Sequence, residues 1–160
     1  MEQDPLKTLA EIFFLDKDSP SAQVRRDYLD LRLDFSDDPR KLPRSDRYLW
    51  LVHWFCNQVE NGGIDQFISN ETGDYVSDTL EALQAIGAVK AHRFLKLACE
   101  LFPDGQPSPN FDARQAQCRE LFVRYGKYID EVIAYAKSCE SEDEISKLLL
   151  EFRRRSVPEV

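Results

Sequence analysis

Residues 48–76 read YLWLVHWFCNQVENGGIDQFISNETGDYV, a strongly apolar run that gives way to a stretch with three glycines. The apolar side chains of the first part cover most of the circumference of a helix, and a helix that is apolar all round belongs in a core. The stretch therefore predicts a central helix over about 46–60. Its predicted N-cap is Ser45, and Asp46 lies in its first turn.

The two adjacent glycines predict how the central helix ends. Because Asn61-Gly62-Gly63 tolerates positive φ, we expect the helix to stop there and the chain to reverse, with a neighbouring helix packed against the missing Cβ atoms. A short helix should follow over about 64–70. Its amides Gln66 and Asn70 lie one turn apart, where they are expected to satisfy unpaired backbone groups of the turns on either side. We interpret this motif as structural, and it comprises Asn61, Gly62, Gly63, Gln66, Phe67, Asn70 and Gly73.

Helical periodicity continues along the rest of the chain, and no run alternates as a strand would. Residues 103–110, PDGQPSPN, hold three prolines and predict a loop, after which Asn110 caps the next helix. A chain of 160 residues has the size of one domain. We expect an all-α, compact multi-helix single domain of about eight helices that spans residues 1–160. The further predicted helices lie over about 6–14, 20–35, 74–86, 88–102, 111–124, 126–138 and 141–154.

The distribution of charge predicts the kind of partner. The net charge is -8, and no Lys or Arg occurs between Arg47 and Lys90. Phosphate would be repelled there, so direct binding of nucleic acid is not expected, whereas a basic partner would be attracted. Asp74 and its helical neighbours would stand about 6 Å apart along the axis, close to the spacing of successive phosphates. The predicted partner-binding residues are Asp65, Glu71, Asp74, Asp78 and Glu81.

A second acidic cluster lies near the C-terminus, at Glu140, Glu142, Asp143 and Glu144. Carboxylates at the start of a helix are favoured by the helix dipole, so we interpret this cluster as structural. The basic residues at 153–155 are expected to complement the end of the same helix.

The glycine motif carries a resemblance to a known family. Asn61-Gly62-Gly63, Asp65-Gln66-Phe67, Asn70 and Gly73-Asp74, followed by Ala82-Leu83, Ile86-Gly87-Ala88 and Phe102-Pro103, resemble the DNA mimic protein 19-like family, a helical domain of unknown function. The similarity covers residues 48–103. It implies an all-helical fold, a homodimer, and an acidic surface that occupies the DNA-binding face of a transcription regulator. In that picture the motif residues are scaffold.

Motifs for catalysis and for cofactors are not found in the sequence. The chain has two histidines, and neither lies in a zinc-binding pattern, while phosphate-binding and nucleophile motifs are missing. His53 is expected to be a core imidazole, and Cys56 a buried and inert thiol. No catalytic residue, metal or cofactor is predicted. The opening residues fit neither a signal peptide nor a membrane span, so we expect a cytoplasmic protein with reduced cysteines and no membrane partner.

Together these patterns favour a non-enzymatic acidic protein-binding domain, and the favoured partner is a basic DNA-binding protein. One alternative is an immunity-type or general interaction protein for another basic target. Another, from a different class, is an enzyme with a pocket around Gln66, Asn70 and Asp74.

Overall fold

The computed structural model describes residues 18–33, 37–121, 123 and 139–156, and all regular structure in these ranges is helical. Six α-helices occur there: α1 (Pro20–Asp30), α2 (Arg44–Ser69), α3 (Val76–Ile86), α4 (Val89–Glu100), α5 (111–121) and α6 (Glu142–Ser156). Three short 3-10 helices complete them, at Pro39–Lys41, Glu71–Tyr75 and Pro103–Gly105. The all-α class is confirmed.

The described part of the chain has six α-helices, compared with about eight predicted for residues 1–160. The central helix and the short helix that we expected after the glycines are the two parts of α2, a stretch of 26 residues with a non-helical Gly63 between them. The helices predicted over 6–14 and 126–138 lie outside the described residues.

Helix α2 forms the centre of the fold, as its apolar circumference predicts. It packs against α1, α3 and α6, and buried residues of these helices join those of α4 in one hydrophobic cluster. Phe55 meets Phe67 edge to face, with ring centroids 5.2 Å apart, and Tyr48 packs on Phe152 at 5.3 Å. Such aromatic contacts add to the free energy of burial.

The start of α2 differs from the prediction that Ser45 is its N-cap. The helix begins at Arg44, and the residue before it, Pro43, makes no side-chain capping bond. Arg153 of α6 instead donates Nη1 to the carbonyl O of Ser45 at 2.8 Å and pairs with Asp46 at 3.0 Å. The basic end of α6 is therefore fastened to the first turn of α2.

Three other helix boundaries are confirmed. Ser19 caps α1 by accepting a hydrogen bond from the Ala22 amide at 3.2 Å, although α1 ends at Asp30 rather than near residue 35. Gly87 ends α3 in the left-handed conformation, with φ of 83°. The side chain of Asn110 accepts from the Ala113 amide at 2.9 Å at the start of α5.

The acidic cluster near the C-terminus is structural, as predicted. Glu140 accepts hydrogen bonds from the Lys90 and Ala91 amides and so caps the start of α4. Glu142 pairs with Arg25 of α1 at 2.8 Å, and Asp143 accepts from the Ser21 amide at 3.1 Å. Glu144 forms a reciprocal capping box with Ser141.

The four cysteines are free. Burial raises the pKa of the Cys56 thiol far above its ordinary value and that of Cys99 to about 12, which agrees with the expectation of an inert Cys56. Within the described ranges, none of the helices combines the length with the apolar character that crossing a membrane requires.

Candidate functional site

The glycine motif divides α2 into two helical parts at Gly63. Gly63 has φ of 85° and ψ of -178° inside α2, a conformation that is essentially restricted to glycine. The predicted break at the glycines and the short helix after it are thus both present. Gln58 and Asn70, which lie on opposite sides of the break, are hydrogen-bonded at 2.8 Å, so the chain turns back there. Among the described residues, the atoms nearest to the Cβ positions of Gly62 and Gly63 belong to Gln66 and Asp65 of α2 itself, rather than to a neighbouring helix.

The two motif amides have a different partner from the predicted one. Gln66 and Asn70 each donate to the side-chain oxygen of Gln58, both at 2.8 Å. Gln58 lies before Gly63 and the two donors lie after it, so these bonds tie together the two parts of α2 across the kink. The backbone carbonyl oxygens at the end of α2 are bound by other side chains, those of Thr72, Arg114 and Gln115.

Arg114 of α5 satisfies the backbone of the turn that follows α2. Its guanidinium donates to the carbonyl oxygens of Ile68 at 2.8 Å, Asn70 at 3.1 Å and Ser108 at 2.9 Å. The side chain is 0% exposed, and its charge is balanced by Asp74 at 2.7 Å. Arg114 therefore holds α5 against the end of α2 and fixes the position of Asp74.

The guanidinium of Arg114 packs so closely on residue 73 that only glycine fits there. A Cβ atom at Gly73 would collide with the carbonyl oxygen of Ile68 and with Nε of Arg114. The close approach that we predicted for Gly62 and Gly63 thus occurs at Gly73. Sequence reasoning missed Arg114, although it shares one helical face with Cys118 and Leu121, and an arginine on such a face indicates a buried charge.

Two acids of the predicted partner-binding row form ion pairs within the chain. Asp78 pairs with Arg40 at 2.9 Å, and this hydrogen bond is the main cause of the raised pKa of Arg40. The same guanidinium lies 4.8 Å above the ring of Tyr75. Asp74 is the partner of Arg114. The row Asp74, Asp78 and Glu81 is therefore not a series of free charges.

The remaining three acids of the row are exposed. Glu81 accepts a hydrogen bond of 2.6 Å from the hydroxyl of Tyr48, to which Arg44 donates in turn at 3.1 Å. Asp65 and Glu71 take part in no ion pair with the residues that the structure describes. Glu71 follows the end of α2, so its carboxylate stands beside the kinked helix.

An open groove of about 620 Å³ lies between α1, α2 and the 3-10 helix Glu71–Tyr75, and we call it the aromatic groove. Its aromatic lining residues are Tyr28, Trp50, Trp54, Tyr75 and Phe111, and its acidic lining residues are Asp37, Glu71 and Asp74. No Lys, Arg or His lines it among the described residues. The groove thus combines aromatic rings with carboxylates.

His53 lies behind the wall of the aromatic groove, stacked on Tyr28 with ring centroids 4.1 Å apart. Burial lowers the pKa of His53 to about 4, and the nearby charge of Arg25 adds to the effect. The imidazole is therefore neutral near pH 7, but His53 is only half-buried and does not belong to the hydrophobic core that we expected it to join.

Two residues of the predicted enzyme pocket, Gln66 and Asn70, meet at the side chain of Gln58, but not all three line one cavity. Asn70 and Asp74 line the aromatic groove, whereas Gln66 is not among its lining residues. No group of three or more His, Cys, Asp or Glu side chains in the part of the chain that the structure describes could hold a metal ion.

These features define a class of all-helical domain in which a glycine-kinked central helix and a buried arginine support an acidic surface. The family model described as DMP19-like protein matches residues 40–156, and the chain belongs to this family. The match extends the resemblance beyond residues 48–103 to include Arg40, Arg114 and helix α6. Searches of the curated proteins and of the solved structures gave no match.

Proposed function

We propose that the chain is a non-enzymatic protein-binding domain whose acidic surface around residues 65–81 binds a basic protein. The supporting observation is that this surface stays negative after its internal pairing. Its five predicted carboxylates are matched by two paired guanidiniums, those of Arg40 and Arg114. Asp65 and Glu71 are exposed, and so carry charge that is available to a partner.

Membership of the family favours the DNA-mimic form of this function, in which the partner is a transcription regulator or another DNA-binding protein. The regular row of Asp74, Asp78 and Glu81 supports DNA mimicry less than its spacing suggests, since two of the three carboxylates are paired with guanidinium groups of the same chain. The immunity-type alternative differs in its target and uses the same acidic surface.

The first experiment reverses one free charge. Basic proteins are captured from native cell extract on the immobilised chain, and the dissociation constant of the captured partner is then measured for Glu71→Lys. We expect binding to weaken about tenfold, because a like charge replaces an attractive one at the interface. Glu100→Lys is the matched control, since Glu100 is exposed on α4 and does not line the aromatic groove. Equal effects of the two variants would contradict the assigned surface.

A competition experiment separates the two forms of the function. If the chain occupies a DNA-binding face, duplex DNA displaces it from the captured partner, and the partner loses DNA binding when the chain is added. If DNA and the chain bind the partner together, mimicry is wrong and binding to another basic target remains. Affinity for either target should fall as salt is raised, because exposed charges are screened.

A further inference from the structure

We propose that the aromatic groove binds one arginine or lysine side chain of the basic partner. The inference rests on the proposed function for the charge of that partner, and it adds the place and the chemistry of recognition. The acidic surface attracts the partner at long range, and the groove holds one of its cationic side chains by contact.

The rings of the groove supply the first attraction. Trp50 lies edge to face with Tyr75 at 5.1 Å and tilted against Trp54 at 6.2 Å, and Trp54 meets Tyr28 edge to face at 6.0 Å. These rings are only partly buried, and Phe111 is 43% exposed. Because the face of an aromatic ring carries negative potential, a wall of such rings attracts a cation.

The carboxylates of the groove supply the second attraction. Asp37, Glu71 and Asp74 line it, and no described lining residue is cationic. Arg114 lies behind Asp74, fully buried and already balanced by that carboxylate. A neutral His53 adds no positive charge at pH 7. A cation that enters the groove therefore meets complementary charge.

The chain already uses this chemistry at the edge of the groove. The guanidinium of Arg40 lies over the ring of Tyr75 while it pairs with Asp78. Guanidinium is planar and weakly hydrated, so it both stacks on rings and binds carboxylates, which makes arginine the better occupant of the two. An apolar side chain would desolvate the exposed carboxylate of Glu71 without compensating it, which is unfavourable.

Both tryptophans of the chain line the groove, so intrinsic fluorescence reports on its occupation directly. The probe is the blocked tripeptide Gly-Arg-Gly, titrated at constant ionic strength, and its control carries the uncharged isostere citrulline. We expect a saturable change in tryptophan emission with the arginine peptide, and binding at least about tenfold weaker with citrulline. A lysine peptide should bind, more weakly than arginine.

Two variants test the walls of the groove, and denaturant unfolding checks that each stays folded, since the ring of Phe111 also lies 5.7 Å from the guanidinium of the buried Arg114. Glu71→Gln should weaken the arginine peptide about fivefold, and Phe111→Leu about threefold, whereas Glu100→Gln and Val89→Ala should leave it unchanged. Val89 is 70% exposed and lies outside the groove. Equal binding of arginine and citrulline peptides, or no saturable binding, would overturn the proposal.

A second copy of the chain is the competing occupant. If light scattering gives a dimer mass and tryptophan emission changes on dilution to the monomer without peptide, the groove is a dimer interface and the proposal is wrong. Loss of peptide binding can be told apart from failure of the proposed function. Should the peptides fail while the captured partner still binds and is weakened by Glu71→Lys, the groove assignment falls and the proposed function stands. If the arginine peptide binds but no basic protein is captured, the groove assignment stands and the proposed function falls.

Discussion

Arg114 is a charged residue in a position from which water is excluded. Four hydrogen bonds compensate the cost of removing its guanidinium from solvent, three to carbonyl oxygens and one to the carboxylate of Asp74. Asp74 is therefore both a surface carboxylate, 45% exposed, and the counter-ion of a buried group. This double role explains why its charge is less available to a partner than sequence spacing suggests.

The Arg114→Met variant tests this account. The substitution leaves the Ile68 and Asn70 carbonyl oxygens without their donor, so we expect the free energy of unfolding to fall by about 3–5 kcal/mol. Arg114→Lys should also destabilise the protein, because a single ammonium group cannot reach all the acceptors that the planar guanidinium binds. Denaturant unfolding measures both, and Arg119→Met, an exposed site on the same helix, should change stability by less than about 0.5 kcal/mol. If the free energy of unfolding falls by less than about 1 kcal/mol in Arg114→Met, the hydrogen bonds of Arg114 contribute little to stability.

At the scale of the element, α2 is one helix made of two parts. Gly63 allows the change of direction between them, and Gln58 bonds to the two amides beyond the kink. The kink places Glu71 and the rest of the 3-10 helix beside Trp50 and Trp54. The geometry of the aromatic groove therefore depends on a backbone conformation that only glycine adopts readily.

Gly63→Ala should therefore destabilise the protein by about 1–3 kcal/mol, the usual cost of a strained backbone conformation. Gly62→Ala is the comparison, because Gly62 has no positive φ and its Cβ would meet the flexible side chain of Gln66. There the better helix propensity of alanine, about 1 kcal/mol, offsets the displaced Gln66 bond, and we expect a small net change. Urea unfolding of both variants checks the difference, and similar losses at the two positions would rule out strain at Gly63 as the cause.

The sequence predicts the helices well because their signals are local. The apolar circumference of α2, the left-handed Gly87 and the caps at Ser19 and Asn110 each depend on a few neighbouring residues. Periodicity does not determine how closely two helices follow each other at a glycine, so the single non-helical residue Gly63 between the two parts of α2 was not foreseen. The internal ion pairs join residues far apart in sequence, such as Arg114 and Asp74, and no local pattern predicts them.

At the scale of the whole molecule, the net charge of -8 overstates the charge that a partner meets. The C-terminal acids hold α6 to α1 and cap α4, and two acids of the predicted row hold Arg40 and Arg114. Spacing along the sequence predicted where carboxylates lie. It did not predict which carboxylates form ion pairs within the chain. The role of Asp65 and Glu71 in binding a partner stays a prediction.

His53, half-buried and stacked on Tyr28, makes global stability depend on pH. Its pKa is about 4 in the folded chain and 6.5 in the unfolded chain. Between these values the unfolded state binds the extra proton, so acid favours unfolding and stability falls as the pH drops from about 6.5 to about 4. The contribution of His53 to this loss is about 3 kcal/mol. Protonation of surface carboxylates at low pH has the opposite effect on stability, because it relieves the self-repulsion of a negatively charged molecule.

Comparison with His53→Gln isolates the contribution of His53 from that of the surface acids. Unfolding free energies of the two proteins are measured by denaturant titration from pH 7.5 to pH 4.5. The difference between them should shrink or reverse towards low pH, because the variant has no half-buried imidazole to charge, and His92→Gln controls for the loss of an imidazole elsewhere. Parallel curves for the wild type and His53→Gln would mean that His53 charges as readily in the folded chain as in the unfolded one. Water would then have free access to the stacked rings of His53 and Tyr28.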